Sequence, residues 1–215
     1  MRTLMGSFIL VLTLSATGFA KGGDAIKLPA PQVEGGKPLM QALKDRRSTR
    51  EFSAKTLPPQ VLSNLLWAAA GINRPDGHRT APSARDWREI DVYVVTVDGA
   101  YLYDANAHVL RRMVSGDIRA LTGTQDFVAH APVNLVYVAD LHRMRDVGAD
   151  QKSLYSATDT GFIAQNVYLY CASAGLATVV RGSIDRESLA AAMKLTPNQQ
   201  IILAQSVGYP AEDKQ

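Results

Sequence analysis

The segment Arg46-Arg47-Ser48-Thr49-Arg50-Glu51-Phe52 places three guanidinium groups and two hydroxyl groups within five consecutive positions. It follows a short amphipathic stretch that contains Leu39 and Leu43, and it precedes the pair Pro58-Pro59. Arginine presents a planar fork of donors that matches phosphate oxygens, and a serine hydroxyl adds one short, directional hydrogen bond. The segment therefore predicts either a binding site for an anion or a basic face in contact with solvent.

Three further motifs favour the anion site because of their order and spacing. The opening segment resembles the R-[RH]-S-x-[RK]-x-F signature of the FMN-dependent nitroreductase family. Arg79-Thr80-Ala81-Pro82-Ser83-Ala84 resembles that family's Pro-Ser-Ser/Ala turn, and residues 175–182 resemble the segment that closes over the flavin ring. Residues 201–207, followed by Gly208-Tyr209-Pro210, are similar to the family's last strand and its G-Y-P ending. The resemblance covers residues 39–210.

The resemblance implies an α+β fold of the nitroreductase type, with helices flanking a central, mostly antiparallel sheet. It also implies a homodimer with two equivalent FMN sites at the subunit interface. The implied activity is that of an FMN-dependent oxidoreductase that reduces small acceptors, such as nitroaromatics and quinones, in a ping-pong cycle. The cofactor carries the redox chemistry in such enzymes, so no catalytic side chain is expected. Two alternatives stay open: a flavin-binding or storage module without turnover, and a flavoenzyme resembling peptide-azoline dehydrogenases.

The same resemblance assigns roles within the opening segment. Arg46 and Ser48 would hold the phosphate and ribityl chain of FMN. Arg50 would lie near the pyrimidine edge of the ring and stabilise its reduced form. Arg47 either joins them or is solvated.

Two later motifs complete the implied cofactor site. Pro82, Ser83 and Ala84 would form a rigid turn that touches the flavin, from the same chain or from the partner subunit. The backbone N–H of Arg181 or Gly182 would donate to the flavin N5 atom, because a glycine there lets the backbone approach the ring. The guanidinium of Arg181 would reach a substrate anion or form a surface salt bridge.

The chain departs from the family pattern at two places. Asp86 stands where the family commonly has asparagine, so its carboxylate is either turned away from the flavin or tunes the site. The adjacent Trp87 is either a core anchor or a neighbour of the ring. Many members also carry a basic phosphate ligand after the last strand, whereas here Ala211-Glu212-Asp213 follow Pro210, and only Lys214 could serve.

Residues 1–20 are typical of a cleavable signal peptide. Arg2 supplies the positive charge, residues 4–14 form an apolar run, and Gly18-Phe19-Ala20 gives the small-x-small cleavage pattern. The apolar run is shorter than the ~20 residues that a membrane-spanning helix needs. We therefore expect cleavage after Ala20, a periplasmic or secreted protein, and no stable membrane insertion.

The rest of the chain is predicted to form one domain behind a leader. Residues 21–38, rich in glycine and proline, predict an extended leader rather than packed structure. Residues 39–215 then form the flavin-binding domain. Because NAD(P)H is a cytosolic donor, an exported enzyme would need either another small-molecule or membrane donor, or a different localisation.

Composition and motifs exclude several other classes of function. The formal net charge of +3 is too small to indicate a nucleic-acid partner. The single cysteine, Cys171, cannot form an internal disulfide, and its apolar neighbours predict a buried, inert thiol. The four histidines are scattered without metal-ligand spacing, so no metal site is predicted. The expected mature chain also lacks a nucleophile elbow, a dinucleotide-binding fingerprint and a Walker loop.

Hydrophobic periodicity predicts a mixture of helices and strands without regular βαβ alternation, which favours α+β architecture. Helices are predicted over residues 59–70, 154–174 and 186–194, the last capped by Asp185, with weakly patterned helix over 116–130. The helix 154–174, apolar most of the way round, is expected in the core or at a dimer interface. Strands are predicted over residues 90–97, 133–139, 176–180 and 200–207.

Overall fold

A computed structural model describes residues 25–211 of the 215-residue chain. The predicted signal peptide, residues 1–20, and Lys214 lie outside these described residues. Within them, one seven-stranded sheet has the strand order β1-β4-β3-β2-β5-β7-β6, and every neighbouring pair is antiparallel. The strands are β1 (Ala25–Lys27), β2 (Ile90–Thr96), β3 (Gly99–Asp104), β4 (Val109–Ser115), β5 (Val133–Asp140), β6 (Ala177–Arg181) and β7 (Gln199–Gly208).

Residues 25–211 also contain four α-helices, which with the sheet confirm the predicted α+β class. They are α1 (Leu39–Asp45), α2 (Pro59–Ala70), α3 (Ala149–Ala174) and α4 (Arg186–Met193). The predicted cap of α4 is confirmed, because the Asp185 side chain accepts a hydrogen bond from the Ser188 backbone N–H at 3.1 Å. Such a cap satisfies one of the N–H groups that the first helical turn leaves without an intrahelical partner.

The core forms two layers, one on each face of the sheet, as the sequence of β5 predicts. Leu135 and Tyr137 pack in the layer that contains α2 and α3. Val136 and Val138 point to the opposite face and pack with Leu189 of α4. Because successive strand residues alternate between faces, a strand that is apolar on both must be covered on both. The strand β5 therefore lies at the centre of the molecule.

Helix α3 has 26 residues, which corresponds to a length of roughly 39 Å. One side packs against the sheet and against α1 and α2 through residues such as Ile163 and Val167. The opposite side is exposed within the single chain, and it includes Leu154 and Phe162 at 61% and 44% exposure. The sequence predicted that this helix lies in the core or at a dimer interface. In the single chain only one face of α3 is buried.

Three local expectations need correction. Residues 116–130 form two short 3₁₀ helices, Arg119–Thr122 and Asp126–Ala129, rather than one helix. The predicted leader, residues 21–38, is packed at the start of its described part, residues 25–38: β1 pairs with β4, and Leu28 is 3% exposed. The hairpin of β3 and β4 was not predicted at all.

Candidate functional site

The arginine-rich segment leaves α1 and runs beside the outer edge of β6. The Thr49 backbone N–H donates to the Thr178 carbonyl oxygen at 2.9 Å. The hydroxyl of Tyr168, on α3, accepts from the Val180 N–H at 2.9 Å and shares a hydrogen bond with Ser48 Oγ at 2.8 Å. This phenol therefore joins α3, β6 and the segment at a single point.

A cavity of about 420 Å³ opens between this segment, the C-terminal turns of α3 and β6. Its size lies within the roughly 300–1,000 Å³ that is usual for small-molecule sites. Four cationic side chains line it against one carboxylate, that of Asp45. The cationic residues are Lys37, Lys44, Arg46 and Arg47. This excess of positive charge makes the cavity suitable for an anionic ligand.

The arginines of the segment are available to such a ligand. Among residues 25–211, none of Arg46, Arg47 and Arg50 forms a salt bridge with a carboxylate. The Arg46 guanidinium lies over the Tyr168 ring, 5.4 Å from its centroid. Arg46 and Arg47 line the cavity, whereas Ser48 and Arg50 are exposed just outside its lining.

The chain before α1 also contributes to the cavity, which the sequence analysis missed. The Lys37 ammonium contacts Asp45 Oδ2 at 2.7 Å, and this hydrogen bond lowers the pKa of the Asp45 carboxyl. The Lys37 backbone N–H donates to Ser173 Oγ at 2.8 Å. Gly36 has φ +82°, and a Cβ atom there would lie 2.6 Å from Ser173 Oγ. Glycine therefore allows the backbone to pass close to α3 and to bring Lys37 to the cavity.

The Pro82-Ser83-Ala84 turn lies elsewhere along α3. Its contacts on that helix are with Asp159, whose Oδ2 accepts from the Ala84 N–H at 2.9 Å. The large cavity touches α3 near Cys171, twelve residues further on, or roughly 18 Å along the helix axis. Within one chain, the structure therefore does not bring this turn to the arginine segment.

Arg181 is buried, so its guanidinium serves neither of the two predicted roles. It is 6% exposed and donates to the Thr122 carbonyl oxygen, to Asn134 Oδ1 at 2.6 Å and to Ser206 Oγ at 3.1 Å. Burial lowers its pKa to about 10. A Cβ at Gly123 would lie 2.5 Å from its Nη1, so glycine is needed to accommodate the side chain. The guanidinium therefore forms buried hydrogen bonds inside the molecule, and neither a substrate contact nor a surface salt bridge.

The backbone beside Arg181 distinguishes the two predicted N–H donors. Antiparallel strands direct alternate residues to the partner strand and away from it. Because the Thr178 carbonyl and the Val180 N–H point outward from β6, the Arg181 N–H points towards β7. The next outward-facing N–H is that of Gly182. Of the two candidates, Gly182 is therefore the one that faces away from the sheet.

The two residues after the turn also have defined surroundings. Asp86 forms a two-point ion pair with Arg88 at 2.6 and 2.7 Å, and these hydrogen bonds lower the pKa of the Asp86 carboxyl. Its charge is therefore balanced locally. Trp87 is half-buried and lies outside both core layers. Its ring packs edge-on against the Tyr155 ring, with 5.6 Å between the ring centroids. It is not the core anchor that the sequence allowed.

The remaining predictions concern the thiol, metals and membranes. Cys171 is fully buried beside the cavity, as predicted, and burial raises its pKa, which disfavours the reactive thiolate. Between residues 25 and 211, no three potential ligands among His, Cys, Asp and Glu are grouped as a metal site would need. None of the helices in that range combines the length and the apolar character of a membrane span.

Comparisons with known proteins agree with this architecture. The sequence pattern of the Nitroreductase family matches residues 43–209. A proposed nitroreductase of Methanocaldococcus jannaschii is 34% identical over 171 residues, covering 75% of this chain and 86% of that protein. A crystal structure of a proposed nitroreductase from Ralstonia eutropha is 47% identical with a TM-score of 0.84, covering 88% and 90% of the two chains. A more distant structure from Desulfovibrio desulfuricans, in complex with FMN, is 21% identical with a TM-score of 0.61, covering 84% and 91%.

Proposed function

The chain belongs to the nitroreductase family, and from this premise we propose that it is an FMN-dependent oxidoreductase acting on small molecules. The observation that carries the proposal is the cavity beside the arginine segment, where four cationic side chains oppose one carboxylate. The FMN complex of the Desulfovibrio protein, which has the same fold, supports the choice of cofactor. Bound FMN would supply two-electron redox chemistry, accepting electrons from a donor and passing them to an acceptor.

The side chains around the cavity fit the phosphate end of FMN. Arg46 and Arg47 line it without a carboxylate partner among residues 25–211, and Ser48 lies at its margin. Lys37 and Lys44 add two ammonium groups, each able to donate to phosphate oxygens. We assign to these lysines the role that a basic residue after the last strand has in many relatives. The site then does not depend on Lys214.

The ring end of the cofactor would be held by backbone and by Arg50. Gly182 presents an outward N–H at the end of β6, which suits a donor to N5. Arg50, exposed and without an ion-pair partner in the described part of the chain, is assigned to the pyrimidine edge. Because a cation favours nearby negative charge, Arg50 would raise the reduction potential of the ring.

We also propose a homodimer in which the Pro82-Ser83-Ala84 turn completes the partner's site. The turn and the cavity lie roughly 18 Å apart along α3, so one chain does not unite them. The exposed side of α3 carries Leu154 and Phe162, and α1 beside it exposes Leu39, Met40 and Leu43. Large apolar side chains exposed on two neighbouring helices favour an interaction surface.

Gly161 offers a test of the dimer that spares the monomer fold. It lies on the exposed side of α3, and a Cβ there would have no neighbour within 4 Å. Gly161→Arg should therefore leave the chain folded while blocking close approach of a second helix. Light scattering should give a dimer for the wild type and a monomer for the variant. A wild-type monomer that retains FMN would contradict the dimer.

The predicted export limits the choice of electron donor. An enzyme in the periplasm would need a donor other than cytosolic NAD(P)H, such as a membrane or small-molecule reductant. Purified protein should show a flavin absorbance band and should be assayed with NADH, NADPH and dithionite as donors, on nitrofurazone and menadione as acceptors. Turnover with at least one pair supports the enzyme. Flavin that is reduced but passes electrons to no acceptor would instead indicate a binding module.

A further inference from the structure

Two carboxyl groups are buried together beneath the Pro82-Ser83-Ala84 turn, and the site described above does not use them. Glu89 is 0% exposed and Asp159, on α3, is 2% exposed. Neither forms a salt bridge with any cation among residues 25–211. Buried charges are normally paired, so this arrangement needs another source of stabilisation.

Each carboxyl group holds one part of the turn. Ser83 Oγ donates to Glu89 Oε2 at 3.2 Å and accepts from the Arg88 backbone N–H at 2.9 Å. Asp159 Oδ2 accepts from the Ala84 N–H at 2.9 Å. The second oxygen of Glu89, Oε1, is buried and has no hydrogen-bond partner in the described structure. Glu89 is also within hydrogen-bonding reach of Asp159.

A proton between the two groups would satisfy these atoms. Two neighbouring carboxylates away from water repel each other, so a proton held between them is favoured. Asp159 Oδ2 already accepts the Ala84 N–H. Glu89 Oε1, the atom without a partner, is the place for the proton. Burial, with the Asp159 charge as a further cause, raises the pKa of Glu89.

Among residues 25–211, neither Arg79 nor Arg88 forms a salt bridge with the pair. Both arginines line the same small cavity as Ser83 and Asp159. Arg88 is instead paired with Asp86 at 2.6 Å, and the neighbouring Asp91 is paired with Arg143 at 2.8 Å. On the side of β5, Asp140 is paired with Arg143 at 3.2 Å.

The turn that the pair holds is a strained one. Arg85, Asp86 and Arg88 have φ angles of 51°, 54° and 50°, in the left-handed region that side chains other than glycine disfavour. Such a conformation persists only where the surroundings enforce it. The hydrogen bonds from Ser83 and Ala84 to the two carboxyl groups provide that enforcement at the start of the turn.

We propose that Glu89 and Asp159 share one proton, and that this proton positions the Ser83 turn. When the proton leaves as the pH rises, two negative charges lie side by side under the turn, and their repulsion releases it. Glu89 and Asp159 are thus positioning residues, acting through Ser83 and Ala84. The consequence for flavin binding rests on the proposed function, whereas the shared proton does not.

Trp87, at the end of the turn, provides a reporter that is independent of flavin. In flavin-free protein carrying Trp67→Phe, Trp87 is the single tryptophan, and its emission should change in one transition as the pH rises. If Trp67→Phe does not fold, the emission of Trp87 is obtained by subtracting the emission of the Trp87→Phe variant from that of the wild type. Glu89→Gln, which keeps the shape and a donor, should abolish the transition. Glu187→Gln, on the exposed surface of α4, should leave it in place.

Infrared spectroscopy tests the proton itself. Below the pH of that transition, wild-type protein should show a carbonyl stretch from a protonated carboxyl group, which Glu89→Gln removes. Absence of that band, or a Trp87 transition that persists in Glu89→Gln, would overturn the shared proton. FMN affinity measured on both sides of the transition tests the consequence: it should fall above the transition. If FMN does not bind at any pH while the band and transition are present, the proposed function fails and the shared proton stands.

Discussion

Replacing Tyr168 with phenylalanine tests how the arginine segment is held. The variant keeps the ring that lies under the Arg46 guanidinium and removes only the hydroxyl. That hydroxyl accepts from the Val180 N–H at 2.9 Å and bonds Ser48 Oγ at 2.8 Å. The experiment therefore separates the two hydrogen bonds from the packing of the aromatic ring.

The expected magnitude follows from these two bonds. Each is worth a net ~0.5–1.5 kcal/mol, so Tyr168→Phe should lower the free energy of unfolding by roughly 1–3 kcal/mol. If FMN binding has to restore the order that the Ser48 bond provides, the same ~0.5–1.5 kcal/mol is lost from binding. At 1.4 kcal/mol per tenfold change, the dissociation constant of FMN should rise roughly 2- to 12-fold.

Tyr170→Phe is the matched control, because Tyr170 lies two positions further along the same helix. Its hydroxyl donates to the Val61 carbonyl oxygen at 3.3 Å, and it does not line the cavity. Urea unfolding and quenching of FMN fluorescence should be measured for both variants. The control should lose at most about 1.5 kcal/mol of unfolding free energy and should bind FMN as the wild type does. Equal FMN affinities for the two variants would refute the role given to Tyr168.

Three further predictions concern other parts of the site. Arg46→Gln should weaken FMN retention, which the flavin content of the purified variant measures. Arg50→Gln should instead lower the FMN midpoint potential in spectroelectrochemistry by roughly 30–60 mV, because a charge-assisted bond is worth ~1.5–3 kcal/mol. Equal potentials and equal losses of FMN in the two variants would argue against distinct roles for the two arginines. Arg181→Ala should lower the free energy of unfolding by about 2–5 kcal/mol, because Thr122 and Asn134 lose a buried donor. The control Arg145→Ala, at an exposed position, should change it by no more than about 0.5 kcal/mol. A similar loss in both variants would contradict a stabilising role for the buried Arg181 hydrogen bonds. Burial raises the pKa of Glu89 in the folded state, so the folded chain binds its proton more tightly than the unfolded chain does. Stability should therefore fall as pH rises from the ordinary glutamate value to the raised one, by at most about 1.4 kcal/mol per pH unit; Glu89→Gln should remove that slope in thermal unfolding, and an unchanged slope would assign it to other groups.

The sequence predicted best those elements whose pattern is local. β5 has apolar residues on both faces and was correctly predicted as an interior strand, which lies between β2 and β7. Helix α4 was identified with its Asp185 cap, and α2 with both of its ends. In each case the residues of the element itself carry the signal.

The missed elements depend on distant partners. β1 is a strand only because it pairs with β4, more than eighty residues away, and the half-exposed β4 lacks a clear alternation of polar and apolar residues. Residues 116–130 contain Gly123, which has to lie against the Arg181 guanidinium, and this contact replaces a continuous helix. Neither contact can be inferred from neighbouring residues.

The candidate site divides in the same way. Arg46 and Arg47 were found because they are adjacent in a recognisable motif, and the structure places both at the cavity. Lys37 reaches the cavity because Gly36 lets the backbone pass close to Ser173, and Tyr168 is one of three tyrosines on α3. A tyrosine on the buried face of this helix was the available signal, because a buried phenol needs a hydrogen-bond partner.

The central claim is that the arginine-lined cavity holds the phosphate of FMN. The most direct test compares the dissociation constants of FMN and riboflavin, which differ only in that phosphate, by fluorescence quenching. At ~1.5–3 kcal/mol per charge-assisted bond, the wild type should bind FMN at least about tenfold more tightly than riboflavin. The double variant Arg46→Gln, Arg47→Gln should lose most of this preference, and Arg145→Gln should retain it. Equal affinities for the two flavins in the wild type, or an unchanged preference in the double variant, would contradict the account.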